Sequence, residues 1–153
     1  MKKRNIFISG ASRGIGKSMA KHFAKSNFNV VGTSRNNFKF DDDLENLLPL
    51  KLDVTSRNDV KDCFDELKSK NLLPDILINN AGITADQLFL RMSDDDWDDV
   101  INTNLTGTFN LTKIFLKNMI KNKFGRIINI SSISGLMGNP GQVNYSSSKA
   151  ALN

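Results

Sequence analysis

Side chains able to carry chemistry are scarce in this sequence: 153 residues include one cysteine, one histidine, one tyrosine and three prolines. Cys63 has no second cysteine to pair with, so a reducing compartment, the cytoplasm, is expected. The lone His22 removes any Ser-His-Asp triad and disfavours a zinc site. No apolar run approaches the roughly 18 residues that a membrane helix needs. Lys2, Lys3 and Arg4 precede only Ile6-Phe7-Ile8, too short for a signal-peptide core. Acids are missing from residues 1–40, which hold nine lysines and arginines, whereas the remainder holds twelve against sixteen acids. A basic first third points to an anionic ligand there. Interleaved aromatics and nucleic-acid motifs are absent, so a phosphate-bearing small molecule fits better than nucleic acid.

What is present has the order of a doubly wound α/β domain occupying residues 1–153. Short apolar runs predict strands at Asn5–Ser9, Phe28–Thr33, Leu48–Val54, Asp75–Asn79 and Arg126–Ser131. They are continuous rather than alternating, as a parallel sheet covered on both faces requires. Between them, Ile15, Met19 and Phe23 mark a helix over Arg13–Ser26. Val60, Cys63, Phe64 and Leu67 mark another, on whose stripe Cys63 is a core residue. A long helix is expected over Asp94–Asn122, and Val100, Asn104, Thr108 and Leu111 place Asn104 on its buried side. The acidic run Asp94, Asp95, Asp96, Asp98, Asp99 suits a cation or a helix start. Ser93 before it favours the start, because the helix dipole stabilises carboxylates in a first turn.

The segment Gly10-Ala11-Ser12-Arg13-Gly14-Ile15-Gly16 falls between the first strand and first helix. Two templates fit it. Glycines there let the backbone turn and approach a pyrophosphate that the helix amides hold. Ala11 with Gly16-Lys17-Ser18 also satisfies a loose triphosphate loop, although Ala replaces the leading glycine and no later strand offers a clean magnesium aspartate. A dinucleotide site usually carries an acid about 20 residues on, for the ribose hydroxyls. Here the second strand ends in Arg35, with no acid before Asp41. An arginine binds a 2′-phosphate that an acid would repel, so Arg13 and Arg35 favour NADPH. Two exposed surface arginines are the plain alternative.

Tyr145 and Lys149 lie four apart, hence on one helical face. An ammonium near a phenol favours the phenolate, and such a phenol can protonate a carbonyl oxygen as hydride reaches carbon. Alone, the pair is a common surface arrangement. Its company is more specific. Asn79-Asn80-Ala81-Gly82, Asn104, Ser132, this pair and the glycine segment resemble, in order and spacing, the short-chain dehydrogenase/reductase family. The resemblance covers the whole chain. The stretches Asn79–Met92, Trp97–Leu105 and Gly125–Tyr145 look most like its 3-oxoacyl-acyl-carrier-protein reductases.

That resemblance implies an NADPH-dependent reduction of a 3-oxoacyl thioester to the 3-hydroxyacyl form. Tyr145 would be the general acid. Lys149 would tune it and bind the nicotinamide ribose. Ser132 would orient the substrate carbonyl, and Asn104 would hold a water in a proton relay. Cofactor contacts would come from Gly10, Ser12, Arg13, Gly14, Ile15, Gly16, Arg35, Asp53, Val54, Asn80, Ala81 and Gly82, besides Tyr145 and Lys149. Ser9 stands where many members have threonine, and the hydroxyl survives. No metal is implied. Another short-chain oxidoreductase or a non-catalytic nucleotide-binding remnant stays open. Acyl carrier proteins are acidic, and Lys113, Lys117, Lys121, Lys123 and Arg126 form a candidate docking patch, or simply cations near a helix end. The family implies a homotetramer. The chain ends in the helix of the catalytic pair, so an incomplete Rossmann-like fold lacking its last strands is expected, with an unpaired sheet edge and poor activity of residues 1–153 alone.

Overall fold

The computed structural model describes residues 3–153; Lys2, part of the basic N-terminus, lies outside them. Five parallel strands form one sheet in the order β3-β2-β1-β4-β5. They are β1 (Asn5–Ile8), β2 (Asn29–Ser34), β3 (Leu47–Lys51), β4 (Ile76–Asn79) and β5 (Arg126–Asn129). All five expected strands are present, most of them a residue or more shorter. Phe7 sits opposite Val31 on one side and Leu77 on the other, the register that buries the central strands. Pro49, which has no N–H to donate, lies in edge strand β3, where the loss costs least.

Helices cover both faces, α1 (Gly14–Lys25) on one and α2 (Arg57–Ser69) and α4 (Gly107–Lys121) on the other. On the second face Phe7, Leu67, Leu77, Leu111 and Phe115 pack together, with the Phe7 and Phe115 rings 5.0 Å apart. Cys63 belongs to this cluster, and burial, then the charge of Glu66, push its thiol up to about 12. Because the folded value lies above the unfolded one of ~8.5, the neutral thiol stabilises the fold fully below ~8.5, and that contribution is lost toward 12. Native protein is therefore expected to resist alkylation by iodoacetamide at mildly alkaline pH. Rapid labelling without denaturant would contradict this.

The buried face of α1 differs from the expected stripe. Ile15 is 64% exposed, and Gly16, Ala20 and Ala24 face the sheet instead. Small residues there let α1 lie close on β1 and β2, which frees Ile15 for the strand-end cleft. The long helix also differs. It consists of α3 (Asp94–Ile101) and α4, joined without a break by a π-helical turn at Asn102–Thr106. Its start is as expected: Ser93 Oγ accepts from Asp96 N at 3.1 Å and the Asp96 carboxylate accepts from Ser93 N, a capping box that explains the acidic run. Two short helices follow β5, α5 (Ser134–Met137) and α6 (Val143–Ala150). Strand β5 is an exposed edge, as expected, with Ile127 and Ile128 accessible. Among the described residues no helix is long and apolar enough to cross a membrane, and no group of three His, Cys, Asp or Glu could hold a metal.

Candidate active site

The strand order reverses at β1, which turns to β2 on one side while β4 lies on the other. Loops diverge there and leave a crevice at the carboxyl ends. In it lies a cleft of about 520 Å³. Of the expected cofactor residues, Gly10, Ser12, Arg13, Gly14, Ile15, Gly16, Arg35, Val54, Asn80, Ala81 and Gly82 line it. So do Thr33, Ser34, Asn36, Leu52, Ile83 and Thr103, which the sequence reading did not single out. Most of these extend strand ends already recognised, and the carboxyl-end rule would have found them. Thr103 comes from the π turn, which had no signal.

The glycines are needed for backbone shape and room. Gly10 adopts φ +69°, and a Cβ on it would stand 2.8 Å from Ala81 Cα. A Cβ on Gly16 would run into the Gly10 carbonyl. Ser9 and Asn80 lock this turn to the end of β4. Ser9 Oγ accepts from the N–H groups of Asn80 and Ala81 at 3.0 Å, and Asn80 Nδ2 donates to the carbonyls of Ser9 and Gly10 at 2.9 Å. Helix α1 begins at this turn with no acid in its first turn and no side-chain cap from Arg13, so its amides are available to an anion. Arg13 and Arg35 are exposed on the cleft, and among the described residues neither pairs with a carboxylate.

Lys17 and Asp53 lie outside the lining of the cleft. Lys17, the lysine of a triphosphate loop, forms an ion pair with Asp41 at 2.7 Å and does not line the cleft. That pair holds the Asp41 carboxyl below its usual range, chiefly by the Lys17 hydrogen bond. Asp53 does not line the cleft either. Its carboxylate accepts from Thr55 N at 2.9 Å and Thr55 Oγ1 at 2.8 Å, an Asx-type turn, while its neighbours Leu52 and Val54 face the cavity.

The Tyr145–Lys149 pair stands beside this cleft on α6. Lys149 is only 4% exposed and its Nζ donates to Ile130 O at 2.7 Å. Burial lowers its pKa. Nζ lies 5.6 Å from the Tyr145 ring centroid and 3.6 Å from where a Cβ on cleft-lining Gly82 would stand. Tyr145 is half-buried. The turn bearing Ser132 packs on the same helix, because Ser131 Oγ donates to Lys149 O at 3.0 Å and Gly135 lets α5 approach the Lys149 backbone. Ser132 Oγ accepts from Ser134 N at 3.2 Å, which leaves its own proton free to donate. Asn104 is fully buried, as its helical stripe predicted. Its Oδ1 accepts from Ile83 N at 2.8 Å, and its Nδ2 donates to Ile83 O at 3.1 Å and Ser148 Oγ at 3.0 Å. Of the candidate docking cations, Lys113, Lys117 and Lys121 flank a groove between α2 and α4, together with Arg57, Lys61 and Lys68. Lys123 and Arg126 lie elsewhere, Arg126 stacked 5.2 Å from the Phe124 ring.

Known proteins share this fold. Residues 4–153 match the family model described as short chain dehydrogenase. The 3-oxoacyl-[acyl-carrier-protein] reductase FabG of Aquifex aeolicus is 43% identical over 153 residues, covering 95% of this chain and 62% of that protein. The Escherichia coli (strain K12) FabG is 42% identical over 149 residues, covering 95% and 61%. The structure of a 4-hydroxyisoleucine dehydrogenase complexed with NADH superposes with a TM-score of 0.89 at 37% identity, covering 98% of this chain and 65% of that one. The chain thus spans about three-fifths of the length of the curated relatives it matches.

Proposed function

This chain belongs to the short-chain dehydrogenase family, and from that premise we propose that the complete protein reduces a 3-oxoacyl-[acyl-carrier-protein] to the 3-hydroxyacyl form, using NADPH. The reading rests above all on Lys149, an ammonium buried to 4% exposure, against the Gly82 wall of the cleft and one turn from the only tyrosine. The residues fit a dinucleotide, since a Cβ at Gly10 or Gly16 would break the tight turn, and the first amides of α1 behind it carry no side-chain cap. When bound, the reduced nicotinamide supplies the hydride. Ser132 donates its free proton to the substrate carbonyl oxygen and fixes its direction. Tyr145 delivers a proton to that oxygen as negative charge develops. Lys149 holds the ribose hydroxyls and favours the phenolate left behind. Asn104 supports the water that returns a proton. Its Nδ2 is spent on Ile83 and Ser148, and its Oδ1 and main-chain oxygen already accept from Ile83 N–H and Thr108 Oγ1, so the second lone pairs of those oxygens would serve that task.

Similarity to the FabG reductases supports the acyl-carrier substrate, with cations near the end of α4 serving an acidic carrier. A cytoplasmic homotetramer is the working form in this reading, with Leu116 and Ile120 exposed on α4 as an available contact. Residues 1–153 alone are expected to turn over slowly, since edge strand β5 lacks cover.

For the cofactor, unpaired Arg13 and Arg35 on the cleft favour the 2′-phosphate. A charge-assisted hydrogen bond contributes about 1.5–3 kcal/mol. Arg35→Ala is therefore expected to weaken NADPH binding about 10- to 100-fold and leave NADH nearly unchanged, measured by titrating cofactor fluorescence. Equal losses for both cofactors would remove the 2′-phosphate assignment.

A further inference from the structure

Tyr145 is held through its main chain at both ends. Its N–H donates to Asn144 Oδ1 at 2.8 Å, and its C=O accepts from Ser148 Oγ at 2.7 Å. Asn144 and Ser148 are both fully buried, and each also reaches out of α6. Asn144 Nδ2 donates to Ala85 O and Asp96 O, each at 3.0 Å. Ser148 has one hydroxyl proton and gives it to Tyr145, so it meets Asn104 Nδ2 as an acceptor, at 3.0 Å. Asn104 in turn grips both main-chain groups of Ile83. The two routes converge on residues 83–85, the direct continuation of the cleft wall Asn80–Gly82.

We propose that Asn144 and Ser148 are positioning residues that set the height and rotation of Tyr145 against the cofactor cleft, touching neither substrate nor cofactor, while Lys149 keeps its own anchors on Ile130 O and Ser131 Oγ. This rests on the assignment of Tyr145 as the acid made above. The physical need is plain. Helix α6 is eight residues long, with no side-chain cap at Gln142, and so has little of its own to fix it. A displacement of about 1 Å at a proton donor can cost on the order of 100-fold in rate. Buried hydrogen bonds to main-chain atoms are directional, and each polar atom left unpaired is penalised. They resist sliding and rotation, which the exposed Val143 and Ala150 of this helix do little to oppose.

The test compares Asn144→Ala, Ser148→Ala, Ser148→Thr, Asn104→Ala, the Asn104/Ser148 double alanine variant and Tyr145→Phe in the complete protein. The readouts are kcat and KM with an acetoacetyl thioester, and NADPH Kd by fluorescence titration. Asn144→Ala and Ser148→Ala should each lower kcat about tenfold or more, with Kd for NADPH within about twofold. Ser148→Thr, which keeps the hydroxyl, should restore most of the rate. In the Asn104→Ala background Ser148→Ala should add less than about twofold, because the two act through one chain of bonds. If Asn144→Ala does not fold, Asn144→Asp decides for that residue, since it keeps the acceptor for Tyr145 N–H and loses the donor to Ala85 and Asp96. Its kcat should fall likewise. Native kcat with only a lowered Tm, losses of kcat and cofactor affinity in proportion, or fully additive Asn104 and Ser148 effects would each overturn the positioning role. Tyr145→Phe separates the levels. If it leaves reduction intact, the proposed function fails and the positioning role with it. If it abolishes reduction while the Asn144 and Ser148 variants run at the native rate, the positioning role alone fails.

Discussion

Tyr145→Phe in the complete protein is expected to lower kcat by about 10²–10⁴-fold, the range general acids contribute. The substitution removes a single oxygen. The ring stays on α6 beside Lys149, and the main-chain bonds to Asn144 and Ser148 do not involve the hydroxyl. Tm should therefore change little, and NADPH affinity should fall by no more than about tenfold, the loss of one neutral hydrogen bond to the cofactor. The only histidine, His22, cannot stand in as the acid, because it is on α1, packed edge-on with Phe23 and outside the cleft lining. Residual turnover would come from orientation by Ser132 and from bound cofactor. Steady-state NADPH oxidation with an acetoacetyl thioester measures it. A kcat within about threefold of the native value would show that the proton comes from elsewhere.

Much of this site was legible because it is written in backbone chemistry. Glycine at 10 and 16 and apolar runs ending in polar residues determine where strands end, and a parallel α/β sheet places ligands at such ends. Helical spacing put Asn104 inside and Tyr145 with Lys149 on one face. What escaped depends on contacts between distant segments. Ile15 continues a stripe that the sheet does not use, because Gly16, Ala20 and Ala24 permit closer packing. The π turn is invisible to a periodic reading, since Gly107 N–H reaches Asn102 O only where its Cα abuts Val54. That turn carries Asn104 and brings Thr103 to the cleft. Asp53 has an ordinary loop context in sequence, and only Thr55 two residues on decides that its carboxylate turns inward on its own loop. Nothing in the sequence marks Asn144 or Ser148, because their partners Ala85, Asp96 and Asn104 lie 44 or more residues away.

Lys149→Met should impair both binding and turnover, which distinguishes it from the tyrosine variant. The ammonium reaches the Gly82 wall, where ribose hydroxyls would accept from it, and its loss should weaken NADPH about 10- to 100-fold, by the 1.5–3 kcal/mol of a charged hydrogen bond. Without a cation beside the phenol, kcat should fall by a further factor on the order of 100. Stability should respond differently. Burial alone lowers the lysine pKa, so the folded state binds fewer protons than the unfolded chain between that lowered value and the ordinary ~10.4. Unfolding free energy contributed by this group therefore rises with pH across that window, opposite in sign to the contribution of Cys63. Methionine removes the desolvation cost but leaves Ile130 O without its donor, two effects of about 1–3 kcal/mol each that oppose one another. Near neutral pH the variant should thus unfold in urea within about 2 kcal/mol of the native protein, and its stability should rise less toward pH 10. A variant that binds NADPH normally would show that Lys149 is a buried structural cation, and the assignment of this cleft to a tyrosine–lysine reductase would fall with it.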